Sequence, residues 1–218
     1  MGMRERFMSG LARQLGRPEG IRGRIVGRGL NKGNLATVSA AVAATELGPG
    51  QVAADVGFGG GLGLQLLLER VGPQGRVVGV ELSDTMRRVA ARRFRAECAD
   101  GRMAIHAGTL GDLPLEGSSV DALITTNTVY FVEDLQGAFS EIARVLRPTG
   151  RAVIGVADPD WMASMPVTAH GFRLRPIDEL VNRLHQAGFA EVRDVAVERD
   201  ERPFRLLVAG AKDSSSHP

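Results

Sequence analysis

VAADVGFGGGLG, the sequence of residues 52–63, decides the fold of this chain. Its first five residues, Val52–Val56, are apolar or small apart from one acid and predict a buried strand, with a helix after the loop. Between strand and helix, Gly57, Gly59 and Gly61 can adopt positive φ and let a ligand approach where a Cβ would otherwise project. In open α/β sheets such a loop lies at the carboxyl end of its strand, where ligands bind. The segment therefore predicts a ligand-binding strand–loop–helix unit, with a plain glycine turn as the alternative.

Strands and helices continue to alternate along the chain. Further strands are predicted at Arg76–Leu82, Met103–Ala107, Val120–Thr126, Arg151–Val156, Glu191–Val197 and Pro203–Gly210. Helices are predicted at about Gly33–Leu47, at Leu62–Val71, from the N-cap Ser83 to about Cys98, at Leu135–Leu146 before Pro148 and Gly150, and at Ile177–Ala187. Regular alternation is typical of a parallel sheet covered on both faces, and the last two strands predict a hairpin. The predicted α/β fold is Rossmann-like: a mostly parallel seven-stranded sheet with a C-terminal antiparallel hairpin and an N-terminal helical extension.

The first 34 residues form a basic extension punctuated by glycines. Its cationic side chains are Arg4, Arg6, Arg13, Arg17, Arg22, Arg24, Arg28 and Lys32, against Glu5 and Glu19. We expect a lid over the acceptor site or a solvated arm; attraction to an acidic substrate, a membrane surface or a nucleic acid are alternatives. Phe7 is its only aromatic residue, which gives base stacking little support. We assign residues 35–211 to the cofactor-binding domain and residues 212–218 to a disordered tail.

The composition excludes several classes of protein. Of the 218 residues, 44% are hydrophobic, which is enough for a core without a disulfide or a metal to stabilise it. The single cysteine, Cys98, excludes an intramolecular disulfide and a zinc site built from several cysteines of the chain. No apolar run approaches the roughly 20 residues that span a bilayer, and Met1–Gly10 lacks the apolar core of a signal peptide. We therefore expect a cytoplasmic protein with no transmembrane segment and no metal.

The spacing of the glycines separates two classes of cofactor. A dinucleotide site needs G-x-G-x-x-G, and the third glycine of that pattern, counted from Gly57, falls on Leu62. The pattern present is Asp-x-Gly-x-Gly-x-Gly, which begins at Asp55. A carboxylate at this position would repel a pyrophosphate but can help to hold the ammonium of an amino-acid-like ligand. The loop therefore disfavours a nicotinamide dinucleotide.

An acidic residue ends the second predicted strand. Glu81 follows the apolar run Val77–Val80, and a carboxylate at this place can accept hydrogen bonds from both hydroxyls of a ribose. Leu82 is placed to pack on the face of an adenine. Because a glutamate in an apolar run is costly to bury without partners, its position favours a binding role. The alternative is an acid that caps the following helix.

With these residues the chain resembles the class I S-adenosylmethionine-dependent methyltransferases. Within them it is most similar to the small-molecule group that includes the ubiquinone/menaquinone C-methyltransferases. The resemblance runs from about residue 35 to residue 211 and depends on four blocks in order: Asp55–Gly63, Val78–Ser83, Gly108–Asp121 and Ala143–Gly150. The combination of blocks is specific, whereas each block alone is not.

The resemblance implies that S-adenosylmethionine is the cofactor and S-adenosylhomocysteine the product. It places Gly57, Gly59 and Gly61 along the methionine part of the cofactor, Glu81 at the ribose, Thr109 and Leu110 at the adenine, and Asn127 beside the methyl donor and the substrate. Thr109 departs from the family, which commonly has an aspartate there to accept from the adenine amino group. A hydroxyl accepts more weakly than a carboxylate, and the nearby Asp112 is a possible substitute.

The acceptor side of the site is predicted from two segments. Tyr130 and Phe131 follow Asn127, while Trp161, Met162 and Met165 lie in the irregular stretch Ala157–Arg175, which in the resembling family often lines the acceptor pocket. Aromatic and methionine side chains can form an apolar pocket, and packing in the core is the alternative. His170 lies in the same stretch and is the candidate general base. Its alternative role is a hydrogen bond to the loop backbone, with alignment alone driving the reaction.

The predicted function is methyl transfer to a small-molecule acceptor, such as a natural product or quinone precursor, mainly by proximity and alignment. Nucleic acid is disfavoured as a partner because Asn127-Thr128-Val129-Tyr130 lacks the prolines of the amino-directed DNA enzymes. A nicotinamide-dependent oxidoreductase is disfavoured by Leu62. A non-catalytic protein that binds the cofactor and acts as a partner is a further alternative, because methyl transfer leaves no obligatory catalytic residue. The sequence leaves open the acceptor atom and the oligomeric state.

Overall fold

A seven-stranded sheet forms the centre of the computed structural model, which describes residues 5, 10, 34–197 and 203–210. Its strands are β1 (Val52–Val56), β2 (Arg76–Val80), β3 (Met103–His106), β4 (Val120–Thr126), β5 (Leu146–Ala157), β6 (Glu191–Val197) and β7 (Phe204–Gly210). They lie in the order β3-β2-β1-β4-β5-β7-β6. The first five strands pair in parallel, and β7 pairs antiparallel with both β5 and β6. The predicted fold is confirmed, including the C-terminal hairpin.

Helices connect the parallel strands. They are α1 (residues 34–44), α2 (Leu62–Val71), α3 (Asp84–Arg93), α4 (Arg95–Ala99), α5 (Leu135–Val145), α6 (Pro159–Ala163) and α7 (Ile177–Gln186), with short 3₁₀ turns at Val129–Phe131 and Pro166–Ala169. From β1 the chain progresses outward through β2 to β3, and then returns to β4 on the other side of β1. The strand order therefore reverses between β1 and β4, and in such sheets this is where ligands bind.

The core is formed by the central strands and by the helix faces that cover them. Helix α5 buries Leu135, Ala138, Phe139, Ile142 and Val145, at the i, i+3, i+4 and i+7 spacing that places apolar residues on one helix face. Burial of a large side chain from this face contributes about 1.5–3 kcal/mol. The N-terminus of α5 is capped by Asp134, whose side chain accepts from the backbone N–H of residue 137 at 2.9 Å.

The structure differs from several predicted boundaries: α1 ends at residue 44 instead of Leu47, β5 begins at Leu146 instead of Arg151, and two further helices differ. The helix predicted to run from Ser83 to Cys98 is broken at Phe94, whose φ of −102° and ψ of 33° are not helical. Phe94 is 5% exposed, and its ring lies next to Gly61, so the break accompanies burial of an aromatic ring behind the glycine loop. Helix α5 ends at Val145, before the predicted stop. Proline disfavours the helical conformation of the residue before it, and the chain is already extended at Leu146.

Three predicted features lie outside the described residues: most of the N-terminal extension, the tip of the C-terminal hairpin at residues 198–202, and the tail at residues 212–218. The assignment of residues 35–211 to one domain stays a prediction. None of the helices that the structure describes is both long enough and apolar enough to cross a membrane.

Candidate active site

A cavity of about 380 Å³ opens at the carboxyl ends of the parallel strands. It lies where the strand order reverses between β1 and β4. The predicted site residues that line it are Asp55, Gly57, Gly59, Glu81, Leu82, Thr109, Leu110, Asn127, Tyr130, Phe131, Trp161 and Met165. Gly61 and His170 are not among its lining residues. The structure thus brings the predicted cofactor and acceptor residues to one cavity, and their roles stay predictions.

Each predicted glycine of the loop has a different reason to lack a side chain. A Cβ on Gly57 would lie 2.5 Å from the Oγ1 atom of Thr128, so the close approach of the turn after β4 requires glycine there. Gly59 has a φ of 49°, and a Cβ on it would meet no protein atom within 4 Å, which leaves the loop open to a ligand. Gly61 has a φ of 74° and precedes the first residue of α2. Its role in this structure is to start the helix beside Phe94.

Glu81 holds the glycine loop from the neighbouring strand. Its side chain is buried, with 6% of the residue exposed. One carboxylate oxygen, Oε2, accepts from the N–H of Gly59 at 2.9 Å, and Oε1 accepts from the N–H of Ser83 at 2.8 Å. The N-cap of α3 is Ser83, whose Oγ accepts from the N–H of Met86. Since each carboxylate oxygen has two acceptor sites, Glu81 keeps the capacity to accept from a ligand.

Asp55 is the second buried carboxyl of the cavity. It is 4% exposed, and no described residue donates a hydrogen bond to its side chain. Burial, together with the smaller effect of the nearby Glu81, raises the pKa of Asp55 from its usual 3.8 to about 8. Gly63, at the start of α2, provides the space, because a Cβ there would overlap the Asp55 carboxylate. A cationic ligand would supply the partner that this carboxyl lacks.

The loop after β3 forms the predicted adenine end of the cavity. Thr109 and Asp112 exchange backbone hydrogen bonds of 3.2 and 3.3 Å, which close a tight turn. Leu110 is 2% exposed, and Leu82 opposite is 44% exposed at the cavity. Asp112 is exposed and does not line the cavity, so the structure does not place it as a substitute for the family's usual aspartate.

Asn127 and Tyr130 shape the turn that follows β4. Asn127 has a φ of 57°, a conformation that residues other than glycine rarely adopt, and its N–H donates to Gly155 on β5 at 2.8 Å. The Tyr130 hydroxyl accepts from the N–H of Ala157 at 2.6 Å. Burial raises the pKa of Tyr130 well above its usual value, so the hydroxyl stays protonated. The turn is therefore bound to the end of β5.

An apolar wall closes the other side of the cavity. It contains the predicted Phe131, Trp161 and Met165, together with residues that the sequence prediction did not assign to the acceptor pocket: Val132, Val167, Phe172 and Phe204. The rings of Phe131 and Phe172 lie 4.8 Å apart, which is the spacing of an attractive aromatic pair. Phe172 belongs to the irregular stretch that was predicted to reach this site. Its aromatic side chain is the feature from which its place in the pocket could have been predicted. Phe204 is brought in by the pairing of β7 with β5, which no local pattern reveals.

The apolar wall consists of the turn after β4 and the segment after β5. Arg173 and Arg175, which belong to the second of these, form hydrogen bonds to the first. The Arg175 guanidinium donates to the carbonyl oxygens of Val129 at 3.1 Å and Val132 at 2.7 Å. The backbone N–H of Arg173 donates to the carbonyl oxygen of Tyr130 at 2.9 Å. Neither arginine lines the cavity. The segment after β5 thus holds the turn that carries Tyr130 and Phe131.

His170 is half-buried and lies away from the cavity lining. Its backbone N–H donates to the carbonyl oxygen of Val167 at 3.2 Å. The structure therefore does not place His170 in the described lining of the cavity, and its role as a general base stays a prediction. Among the described residues, no group of His, Cys, Asp and Glu side chains could hold a metal ion.

Helix α1 also reaches the cavity. Asn34 and Val38 line it, and Asn34 is the first residue of the continuously described chain. The basic extension that precedes it is outside the described residues, but it joins the structure at the cavity. This connection is the structural support for the predicted lid.

Comparison with known proteins agrees with this site. The profile of a family described as a methyltransferase domain matches residues 54–154. Arsenite methyltransferase of Halobacterium salinarum is 29% identical over 170 residues, 78% of this chain and 41% of that protein. Demethylmenaquinone methyltransferase of Symbiobacterium thermophilum is 33% identical over 112 residues, 51% of this chain and 45% of that protein. The chain spans less than half the length of these curated relatives.

A solved structure shows the same fold. Geranyl diphosphate C-methyltransferase of Streptomyces coelicolor A3(2), solved with Mg²⁺, geranyl diphosphate and S-adenosylhomocysteine, matches with a TM-score of 0.70 at 19% identity. The match covers 90% of this chain and 85% of that one. The family match, the strand order and the glycine-loop cavity agree with one another: residues 54–154 match a methyltransferase domain, and the chain has the fold of the class I S-adenosylmethionine-dependent methyltransferases.

Proposed function

We propose that the protein transfers a methyl group from S-adenosylmethionine to a small-molecule acceptor. The observation that carries the proposal is one cavity with two different halves. The half formed by the glycine loop has two buried carboxyls, Asp55 and Glu81, and the other half is an apolar wall. A polar cofactor and an apolar acceptor would meet where these halves join.

The residues of the first half fit S-adenosylmethionine. This cofactor carries two cationic groups, an ammonium and a sulfonium, and Asp55 is a buried carboxyl without a hydrogen-bond donor among the described residues. Glu81 has free acceptor sites for ribose hydroxyls, and Gly59 leaves open space against the loop. A nicotinamide dinucleotide fits less well, because its pyrophosphate would lie near two acidic groups. The homologous structure solved with S-adenosylhomocysteine supports the same cofactor.

The chemistry needs little from the protein beyond alignment. Bound S-adenosylmethionine would supply a methyl carbon that accepts a lone pair of the acceptor while the C–S electron pair stays on sulfur, and any acceptor proton passes to water. Tyr130 stays protonated and is bound to the backbone of β5, so it orients the turn and takes no proton. Asn127 is neutral. Holding the acceptor in line with the methyl group is therefore the main contribution of these residues.

The remaining parts of the proposal depend on the sequence. A nucleic-acid acceptor is disfavoured by the missing prolines after Asn127, and a cytoplasmic location is favoured by the single cysteine. We expect the basic extension to act as the lid of the cavity. The oligomeric state stays open.

Two measurements test the proposal in order. Calorimetry should show S-adenosylhomocysteine binding in the micromolar range, about −8 kcal/mol, and no binding of NAD. Methyl transfer from radioactive S-adenosylmethionine should then be found with at least one member of a panel of phenols, amines and quinone precursors. Binding of NAD without a response to S-adenosylhomocysteine contradicts the proposed cofactor. Cofactor binding with no transfer to any acceptor favours the alternative of a non-catalytic partner protein.

A further inference from the structure

The charges of the cavity are distributed unevenly. Among the described residues that line it, the only Asp, Glu, Lys, Arg or His side chains are Asp55 and Glu81, and both belong to the glycine-loop half. The acceptor half is lined by uncharged side chains, namely Tyr130, Phe131, Val132, Trp161, Met162, Met165, Val167 and Phe172. No arginine, lysine or histidine is found in the described lining. An anionic group of an acceptor would therefore find no cationic partner there.

The arginines of the wall segments are bound elsewhere. Arg173 forms an ion pair of 3.0 Å with Glu133 on the exposed side of the turn. Arg175 donates to the backbone carbonyl oxygens of Val129 and Val132. Turning the Arg175 guanidinium toward the cavity would leave these carbonyl oxygens without a donor, whereas turning Arg173 would break only an exposed ion pair. Neither guanidinium lines the cavity in this structure.

Burial of an anion in this half is unfavourable for two reasons. A carboxylate or phosphate that leaves water without a partner loses its solvation. It would also face the two acidic side chains of the glycine-loop half, Asp55 and Glu81. An apolar body gains from the same surroundings, because Phe131 and Phe172 offer ring faces and edges and Met165 adapts its shape.

We propose that the acceptor is an apolar molecule with no phosphate, diphosphate or carboxylate group. The proposal rests on the proposed function and adds a rule of charge selection to it. The reacting group would be uncharged when it enters, as a phenol, an amine in its neutral form or a carbon nucleophile is. Phosphorylated or carboxylated molecules of the same skeleton would be excluded by the wall.

Trp161 provides a direct measurement of acceptor binding. It is the only tryptophan of the chain, and it lines the acceptor half, so its fluorescence reports contact with a ligand there. The probes are 4-butylphenol and 4-butylbenzoate, which share one skeleton and differ at neutral pH by one negative charge. Both are titrated into the protein loaded with S-adenosylhomocysteine, whose binding is first verified by calorimetry. We expect 4-butylphenol to bind at least ~10-fold more tightly, a difference of about 1.4 kcal/mol.

A pair of variants at one position provides the control. Met165→Lys places a cation in the wall and should remove most of the preference for the phenol, whereas Met165→Leu should retain it. Equal or tighter binding of 4-butylbenzoate to the unchanged protein would overturn the proposal, and so would binding of neither probe. Failure to bind S-adenosylhomocysteine at the first step would instead refute the proposed function. If the benzoate binds more tightly while cofactor binding is intact, charge selection would be assigned to the basic residues 1–33 instead of the wall. The proposed function would still stand.

Discussion

The Oε2 atom of Glu81 accepts a hydrogen bond from the backbone N–H of Gly59 at 2.9 Å. This bond joins the residue after β2 to the glycine loop after β1. The carboxylate that is predicted to bind the ribose and the loop that is predicted to follow the methionine part of the cofactor therefore hold each other in place. A bond that restricts both groups reduces the entropy lost when a ligand binds.

Replacement of Glu81 by glutamine tests this double role. In Glu81→Gln, one of the two oxygens that accept from Gly59 and Ser83 becomes a donor, and the charge is lost. Loss of a charge-assisted acceptor costs about 1.5–3 kcal/mol, so we expect the affinity for S-adenosylhomocysteine to fall ~10-fold or more. The same change should lower the free energy of unfolding by about 1–3 kcal/mol, because a buried N–H loses its acceptor. Calorimetry and thermal melting measure the two effects.

A matched control is Glu191→Gln on the exposed edge strand β6, which should change neither quantity. If Glu81→Gln lowers stability but leaves cofactor affinity unchanged, Glu81 holds the loop and does not bind the ribose.

The raised pKa of Asp55 predicts that the protein releases a proton when the cofactor binds. With a pKa of about 8, the carboxyl is mostly protonated in the free protein at pH 7. A cationic group placed beside it lowers the pKa, so binding of S-adenosylhomocysteine at pH 7 should release up to about one proton. Calorimetry in buffers of different ionisation enthalpy measures the number released. The number should fall toward zero in Asp55→Asn, and equal release by both proteins would rule out Asp55 as its source.

The raised pKa of Asp55 also predicts how the stability of the free protein changes with pH. The pKa of Asp55 is raised in the folded state, so between about pH 4 and pH 8 the folded state binds a proton that the unfolded state has lost. Its contribution to stability is therefore present at low pH and decreases as the pH rises through this window. The difference in unfolding free energy between Asp55→Asn and the unchanged protein should shift in favour of the variant as the pH rises. A difference that does not change with pH would contradict the raised pKa.

Much of this site could be predicted because its residues lie next to strands that runs of apolar residues indicate in the sequence. The boundaries of β1, α2 and β4 agree with the predicted ones, since glycines flank β1 and α2 and an apolar run marks β4. The placement of Asp55 and Glu81 at one cavity followed from parallel strands ending at the same edge of the sheet.

The acceptor wall could be predicted only in part. Phe204 reaches the cavity through antiparallel pairing of β7 with β5, a contact between residues that are far apart in sequence. The absence of a hydrogen-bond donor to Asp55 among the described residues and the space left by Gly63 are also properties of packing and not of any local pattern. His170 has the right residue type in the right segment, but the turn at Pro166–Ala169 leaves it outside the lining.

Arg175 is predicted to act as a positioning residue for the acceptor. Its guanidinium donates to three carbonyl oxygens of the turn that carries Tyr130 and Phe131, including Glu133 at 3.4 Å. In Arg175→Gln these bonds are lost, and we expect the KM for the acceptor to rise roughly 10-fold while the affinity for S-adenosylhomocysteine is retained. Arg173→Gln, which removes only an exposed ion pair, should change KM less than ~3-fold. A loss of cofactor affinity in Arg175→Gln would show general damage to the fold.

Truncation tests the role of the basic extension as a lid. Asn34 and Val38 line the cavity, so the first continuously described residues after the extension form part of its wall. A lid excludes water and completes the acceptor pocket, so deletion of residues 1–30 should reduce turnover by ~10-fold or more. The affinity for S-adenosylhomocysteine should change by less than ~3-fold, because the glycine loop and Glu81 stay in place. Deletion of residues 212–218 is the control. Full turnover in the protein without residues 1–30 would make the extension a passive arm.

Replacement of His170 distinguishes catalysis by alignment alone from general-base catalysis. The sequence favours it as a base because histidine commonly accepts protons in catalysis, but the structure places it outside the cavity lining. General-base assistance contributes about 10²–10⁴-fold, whereas a residue of the supporting loop contributes far less. We therefore expect His170→Ala to reduce the maximal rate by less than ~5-fold, with no change in the pH profile. His185→Ala, at an exposed histidine of α7, is the control. A loss of ~100-fold with cofactor affinity intact, together with disappearance of a rate increase near pH 6–7, would instead require His170 to reach the acceptor during turnover.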